Sequence, residues 1–275
     1  MSDPVVVVDD PAPMVRRITL NRPEKRNALN AALRHGIVAA LRDADRDPDV
    51  RVSILRGAGS CFSAGYDLGG GAGDPDAGDW ATAGEGQFQR EVIAAWTGIW
   101  DLAKPVVAQV HGYCLAGGSE LVAGCDVVYV ADDAQIGYPA VRFAVPDMQY
   151  HAWLVGLRKS MELVLTGDSM SGAEAVACGY ATRSFPSYEL EASTVAMASR
   201  IAQVPTDLAQ LNKRSVHQAM EIMGARDALK AGIPLTVAST RTETFRTFMA
   251  DLAGGLSKAF KKRDAAYRDA PPPTS

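Results

Sequence analysis

The sequence predicts an α/β domain whose strands give way to a helical C-terminal region. Three observations predict it. Strand-like and helix-like segments alternate through the first half of the chain, Gly-rich turns directly follow strand-like runs, and from about residue 189 onward the pattern is almost wholly helical.

Met14–Leu20 (MVRRITL) reads as a strand. Leu29, Leu33, Ile37, Ala40, Leu41 and Ala44 then recur at helical spacing and predict an amphipathic helix. Val50, Val52 and Ile54 alternate with Arg51 and Ser53, a strand pattern that stops at Gly57-Ala58-Gly59. Residues 69–86 are rich in Gly and Asp and lack a period, so they read as a mobile loop, either a linker or a substrate-entry flap. Phe88, Val92, Ala95, Ile99 and Leu102 predict the next helix, ending before Pro105. Val106–Val110 and Asp126–Val130 read as strands, with a short apolar helix at Ser119–Ala123 between them. Ser171-Gly-Ala-Glu174 is a capping-box pattern, and Gly179 is placed to end that helix.

Composition narrows the function classes. A chain of 275 residues with 47% hydrophobic content buries a sizeable core. A net charge of −4 and a pI of about 5.6 point away from nucleic-acid binding. No stretch approaches the roughly 18 apolar residues of a membrane helix, and the N-terminus lacks the basic region of a signal peptide. Cys61, Cys114, Cys125 and Cys178 form no CxxC pair and show no metal-ligand spacing, so reduced thiols, no metal site and a cytoplasmic location are expected.

Two turns carry chemistry. Cys61-Phe-Ser-Ala-Gly-Tyr-Asp-Leu68 follows one strand; His111-Gly-Tyr-Cys-Leu-Ala-Gly-Gly-Ser-Glu-Leu121 follows another and opens a helix. Backbone N–H groups at such turns point outward without intrachain partners. Two of them converging on one point stabilise a developing oxyanion, and losing one donor costs about 3–4 kcal/mol of transition-state stabilisation.

The run Ile18–Leu29 (ITLNRPEKRNAL) resembles the N-terminal signature of the crotonase (enoyl-CoA hydratase/isomerase) superfamily. Phe62–Leu68 and Lys104–Leu121 are similar to its two oxyanion-hole segments, and Thr166–Gly179 to a further family stretch. The order and spacing hold from about residue 14 to residue 262. This resemblance implies a crotonase-like spiral of ββα units with C-terminal helices that support trimerisation: residues 1–200 as the core, and 201–275 as the region completing the site and the oligomer. It implies an acyl-CoA substrate, with coenzyme A entering as part of the thioester and no separate cofactor, and a homotrimer or dimer of trimers active in fatty-acid metabolism. It places the oxyanion amides at Ala64 and Gly117. It places the CoA moiety along Lys25, Arg26 and Ala28 and along Ala64, Gly65, Tyr66, Asp67 and Leu68, with Phe260, Lys261 and Lys262 on the last helix meeting the nucleotide.

The family's hydratases carry one glutamate three residues after the oxyanion glycine, which is Glu120 here. Apolar Leu121-Val122-Ala123 beside it implies burial, and burial raises a carboxyl pKa toward the range a general acid or base needs. The second family glutamate follows a strand-end proline; after Pro139 stands Ala140, which transfers no proton. Asp147, Tyr150 and His151 stand as replacements. Asp147 resembles in position the aspartate of dienoyl-CoA isomerases but equally reads as a helix N-cap after Pro146. His151 titrates near neutrality, yet it and Trp153 also read as core. Tyr66, Trp80, Trp96 and Trp100 are candidates to shape the acyl pocket. The expected function is an acyl-CoA enzyme of enoyl-CoA hydratase/isomerase type. The alternatives are an acyl-CoA hydrolase, C–C lyase or dienoyl-CoA isomerase built on the same oxyanion hole, or a non-catalytic acyl-CoA-binding paralogue.

Overall fold

The computed structural model of the chain describes residues 3–69 and 85–269; Trp80 and most of the 69–86 segment lie outside the described residues. The strands are β1 (Val6–Ala12), β2 (Val15–Leu20), β3 (Val52–Gly57), β4 (Val106–Val110), β5 (Tyr113–Leu115), β6 (Val127–Ala131), β7 (Gln135–Gly137), β8 (Ser169–Met170) and β9 (Arg183–Phe185). The helices are α1 (Ala31–Arg46), α2 (Gln87–Thr97), α3 (Gly117–Ala123), α4 (His151–Thr166), α5 (Gly172–Ala177), α6 (Leu190–Ile201), α7 (Thr206–Ile222), α8 (Ala225–Ala231), α9 (Ile233–Ser239), α10 (Glu243–Leu252) and α11 (Leu256–Asp269).

A six-stranded sheet runs β1-β2-β3-β4-β6-β9, and a three-stranded sheet runs β5-β7-β8. In the large sheet β1 is antiparallel to β2 and the remaining pairs are parallel. Central β4 (VVAQV) is buried at every position, as a strand covered on both faces must be. Edge strand β1 carries Asp9 and Asp10, and charge on an edge discourages pairing with other chains.

Helix α1 begins where Asn30 caps it, its side chain accepting from the Leu33 amide at 3.0 Å. The helical period places Leu33, Ile37, Leu41 and Ala44 in the core. The capping box at Ser171 and Glu174 forms as the sequence predicts, and Gly179 takes φ +87° just beyond α5. The single helix expected over 88–102 instead ends at Thr97 and tightens into a 3₁₀ turn, Gly98–Asp101. The domain boundary set after residue 200 falls at the end of α6, whose inner face lies on β3, β4 and β6.

Two backbone bridges tie the first Gly-rich turn to its surroundings: Leu29 with Tyr66, and Ser63 with Cys114. The first two turn-bearing stretches are thereby held against each other, and the site forms at this junction.

Candidate active site

Position 65 must be glycine for two reasons. Its φ is +102°, and a Cβ there would lie 2.9 Å from the Leu115 carbonyl oxygen and 3.4 Å from the Gly117 nitrogen. The two Gly-rich turns therefore touch backbone to backbone. Ala116, at φ 48° and ψ −121°, occupies a conformation that L-residues rarely adopt, directly before the first residue of α3.

The expectation that Ala64 supplies an open amide is corrected. Its N–H donates to the Arg26 carbonyl at 2.9 Å and is not available to a substrate oxygen. Gly65 N–H donates to Ser63 Oγ, and Asp67 N–H to the Leu29 carbonyl. The N–H of Tyr66 meets no acceptor among the described residues, and neither does that of Gly117. The parallel bridge to Leu29 explains the choice: it engages the residues on either side of Tyr66 and leaves the Tyr66 amide facing the other way.

Glu120 sits on the first turn of α3 and is 0% exposed. Its Oε1 accepts from the Met148 amide at 2.7 Å, and its Oε2 lies 2.5 Å from the Tyr66 hydroxyl. Burial and the nearby Asp147 charge push its pKa up to about 8. Asp147 is not a helix cap, since α4 begins at His151 with Tyr150 at its N-cap. Instead Asp147 accepts from Gln89 Nε2 at 2.8 Å and from the Tyr138 hydroxyl at 3.4 Å. Burial raises its pKa to about 6, against the opposing pull of these two donors. Tyr138 is also near enough to Glu120 to oppose the rise in its pKa, so one hydroxyl serves the surroundings of both carboxyl groups.

His151 is buried, stacks on Tyr150 with ring centroids 4.2 Å apart, and meets the Tyr138 ring edge-on at 6.0 Å. Burial lowers its pKa to about 4, so it is neutral at physiological pH. Its ring joins no hydrogen bond among the described residues. Tyr150 turns its hydroxyl to Ser119 Oγ at 2.8 Å, away from Asp147. Ala140 lies in the 3₁₀ turn Pro139–Arg142, partly buried.

The remaining predicted contacts divide. Lys25 and Arg26 are exposed, with Ala28 beside them, and Arg26 and Asn27 both adopt left-handed backbone (φ 51° and 52°). Leu68 is partly exposed. Asp67 is turned inward: its Oδ2 pairs with Arg22 at 2.9 Å and its Oδ1 accepts from the Gly69 amide, so it shapes the turn. On α11, Phe260 stacks on Phe248, and Lys262 pairs with Asp251 at 2.8 Å. Sequence reading missed Gln89 and Tyr138, whose roles depend on α2 and the Pro139 turn folding against Asp147. Trp96, fully buried, donates from Nε1 to the Tyr66 hydroxyl at 3.2 Å.

Two open amides at touching turns, with one buried and one partly buried carboxyl group beside them, can hold a carbonyl oxygen and move protons at the adjoining carbons. Comparison with known proteins agrees with that chemistry. The enoyl-CoA hydratase/isomerase family model matches residues 12–269. A Mycobacterium bovis protein named "Probable enoyl-CoA hydratase echA8" is 35% identical over 208 residues, covering 74% of this chain and 78% of its own. The crystal structure of an enoyl-CoA hydratase/isomerase from Xanthobacter autotrophicus Py2 superposes with a TM-score of 0.86 at 30% identity, covering 95% of this chain and 98% of its own. That of an enoyl-CoA hydratase from Mycobacterium smegmatis gives 0.87 at 29%, covering 97% and 95%. With the fold, the turns and these matches together, the chain belongs to the enoyl-CoA hydratase/isomerase family, has the crotonase fold, and is an enzyme of that lyase or isomerase type.

Proposed function

We propose that the protein adds water to, or shifts the double bond of, an unsaturated acyl-CoA thioester through an enolate held by the amides of Tyr66 and Gly117. Glu120 and Asp147 form the acid–base pair, with Asp147 taking the part that Ala140 leaves empty. The observation that carries this reading is the shared environment of the two carboxyl groups. Both are held around the Tyr138 hydroxyl, yet their pKa values are pushed to about 8 and about 6. Near neutrality Glu120 then holds a proton to give, while Asp147 is ionised and ready to accept one. In hydration Asp147 takes a proton from water as its oxygen attacks the β-carbon, and the α-carbon receives the proton that originates on Glu120. In isomerisation the same pair removes a proton at one carbon and returns one at another.

Exposed Lys25 and Arg26, with Lys261 on α11, offer cations to the CoA phosphates. Exposed apolar residues on α4 (Leu157, Met161, Leu165) and on α7 (Leu208, Leu211, Val216) offer a surface for a homotrimer or dimer of trimers. A cytoplasmic role in fatty-acid metabolism fits this reading.

The experiment is a turnover assay of purified protein on 2-enoyl-, 3-enoyl- and 2,4-dienoyl-CoA thioesters, following the conjugated chromophore. Hydration or isomerisation is expected, reduced about 10²–10⁴-fold in Glu120→Gln and in Asp147→Asn. Calorimetric binding of acyl-CoA without any turnover would overturn the reading in favour of a non-catalytic paralogue. Free thiol release would favour the hydrolase reading.

A further inference from the structure

Resting on the reading of Asp147 as the base, we propose that Thr236 and Ser239 of α9 are positioning residues: their hydroxyls hold the backbone that carries the Asp147 carboxylate at the reaction site. Residues 143–149 belong to no helix or strand, so no regular backbone ladder fixes where Asp147 points. Side chains fix it instead. Val145 N–H donates to Ser239 Oγ at 3.1 Å. Pro146 has no N–H to give, and its carbonyl accepts from Thr236 Oγ1 at 2.8 Å. Asp147 N–H donates to the Tyr138 hydroxyl at 3.2 Å, and Met148 N–H to Glu120 Oε1 at 2.7 Å. Every residue from Val145 to Met148 is thus tied by its backbone to a side chain. The two ties immediately ahead of Asp147 both come from α9.

Gly232, Thr236 and Ser239 recur at i, i+4 and i+7, which is one side of a helix, and all three are buried. Gln149 lies over Gly232 and donates from Nε2 to its carbonyl at 3.3 Å; a Cβ at position 232 would come within 2.6 Å of the Gln149 side chain. Ser239 Oγ gives its own proton to the Thr236 carbonyl at 2.7 Å, which leaves its lone pairs for Val145 N–H. Just upstream, Arg142 pairs with Asp264 of α11 at 2.9 Å, and the Phe143 ring stacks on Phe248 of α10 at 3.9 Å. The stretch ahead of and around Asp147 is therefore docked along its length on the C-terminal helices.

Thr236 is 2% exposed and Ser239 9%, and both hydroxyls are committed to backbone groups, so they reach the reaction through Asp147. Thr236→Val keeps the shape of the side chain but leaves the Pro146 carbonyl without its donor. Ser239→Ala does the same to Val145 N–H. An unpaired backbone group shifts toward any partner it can find, and here it carries Asp147 with it. A base must keep hydrogen-bond reach to the proton it takes, and a displacement of about 1 Å can cost about 100-fold in rate.

The test is a mutant cycle read on turnover of an enoyl-CoA. Thr236→Val, Thr236→Ser and Ser239→Ala are made alone and together with Asp147→Asn. Thr236→Val is expected to lower kcat about 10–100-fold with KM held within about twofold. Thr236→Ser keeps the hydroxyl and is expected to restore most of the rate. In the Asp147→Asn background Thr236→Val is expected to cost no more than about twofold, because the group it positions is already gone. A purely structural role would lower both backgrounds alike. Circular dichroism checks the fold, and Ser239→Ala carries the same cycle if Thr236→Val does not fold. Near-normal kcat in the single variants, or equal losses with and without Asp147, would overturn the positioning role while leaving the hydratase/isomerase reading intact. Wild-type protein without turnover, or full activity of Asp147→Asn, would remove that reading of Asp147, and the role of Thr236 and Ser239 with it.

Discussion

Asp147 makes Glu120 harder to ionise: the two carboxyl groups bracket the Tyr138 hydroxyl, and the charge of the first adds to burial in holding the proton on the second. Activity that needs Asp147 ionised and Glu120 protonated is therefore confined between about pH 6 and about pH 8. A bell-shaped kcat profile is expected, and Glu120→Gln should lose the alkaline limb together with about 10²–10⁴-fold of turnover.

Gln89 sets the other limb. Its Nε2 donates to Asp147 and lowers the aspartate pKa against the effect of burial. Gln89→Leu removes that donor, so the acidic limb should move to higher pH with the alkaline limb in place. A profile displaced equally on both sides would contradict the assignment.

Stability follows the same titration with a definite sign. Folding raises the Glu120 pKa from 4.5 to about 8. Between those values the native state binds more protons than the unfolded chain, so its stability falls as pH rises through the window. Glu120→Gln abolishes this penalty. Melting temperatures across that range should show the variant gaining on the wild type with each step upward, and a constant offset would refute the linkage.

Gly117→Ala places a methyl 2.6 Å from the Tyr66 ring. The ring must shift, and the amide pair with it. Loss of one oxyanion donor costs about 10²–10³-fold in kcat, and at least that is expected here, with circular dichroism checking that the fold persists.

Arg22→Met should unfold the protein more easily without touching the carboxyl pair. It strands Asp67, whose side chain is 10% exposed against 8% for Arg22. A broken buried pair costs about 3–5 kcal/mol, which chemical denaturation will read.

Much of the core was readable because α1 and α2 follow a clear helical period and because β2 to β4 are long enough to show their apolar runs. Strands β5, β7 and β8 have three, three and two residues, too short for any period to show. Strand β1 hid because its valines and aspartates face solvent along one edge. Glu120 stood out through its burial-prone neighbours. The open amide did not, since both Ala64 and Tyr66 sit in the same turn. The choice between them is made by Arg26 and Leu29, more than thirty residues upstream, whose backbones claim the alternatives.

That same backbone ladder has a mechanical consequence. The carbonyl of Arg26, amid the residues proposed above for the nucleotide end of the substrate, accepts from the Ala64 amide, in the turn whose Tyr66 amide is proposed for the reactive end. On that proposal, anchoring the distant handle braces the catalytic pocket. A thioester shortened to a pantetheine stub should turn over more slowly even at saturation, because grip on the far end serves rate as well as affinity.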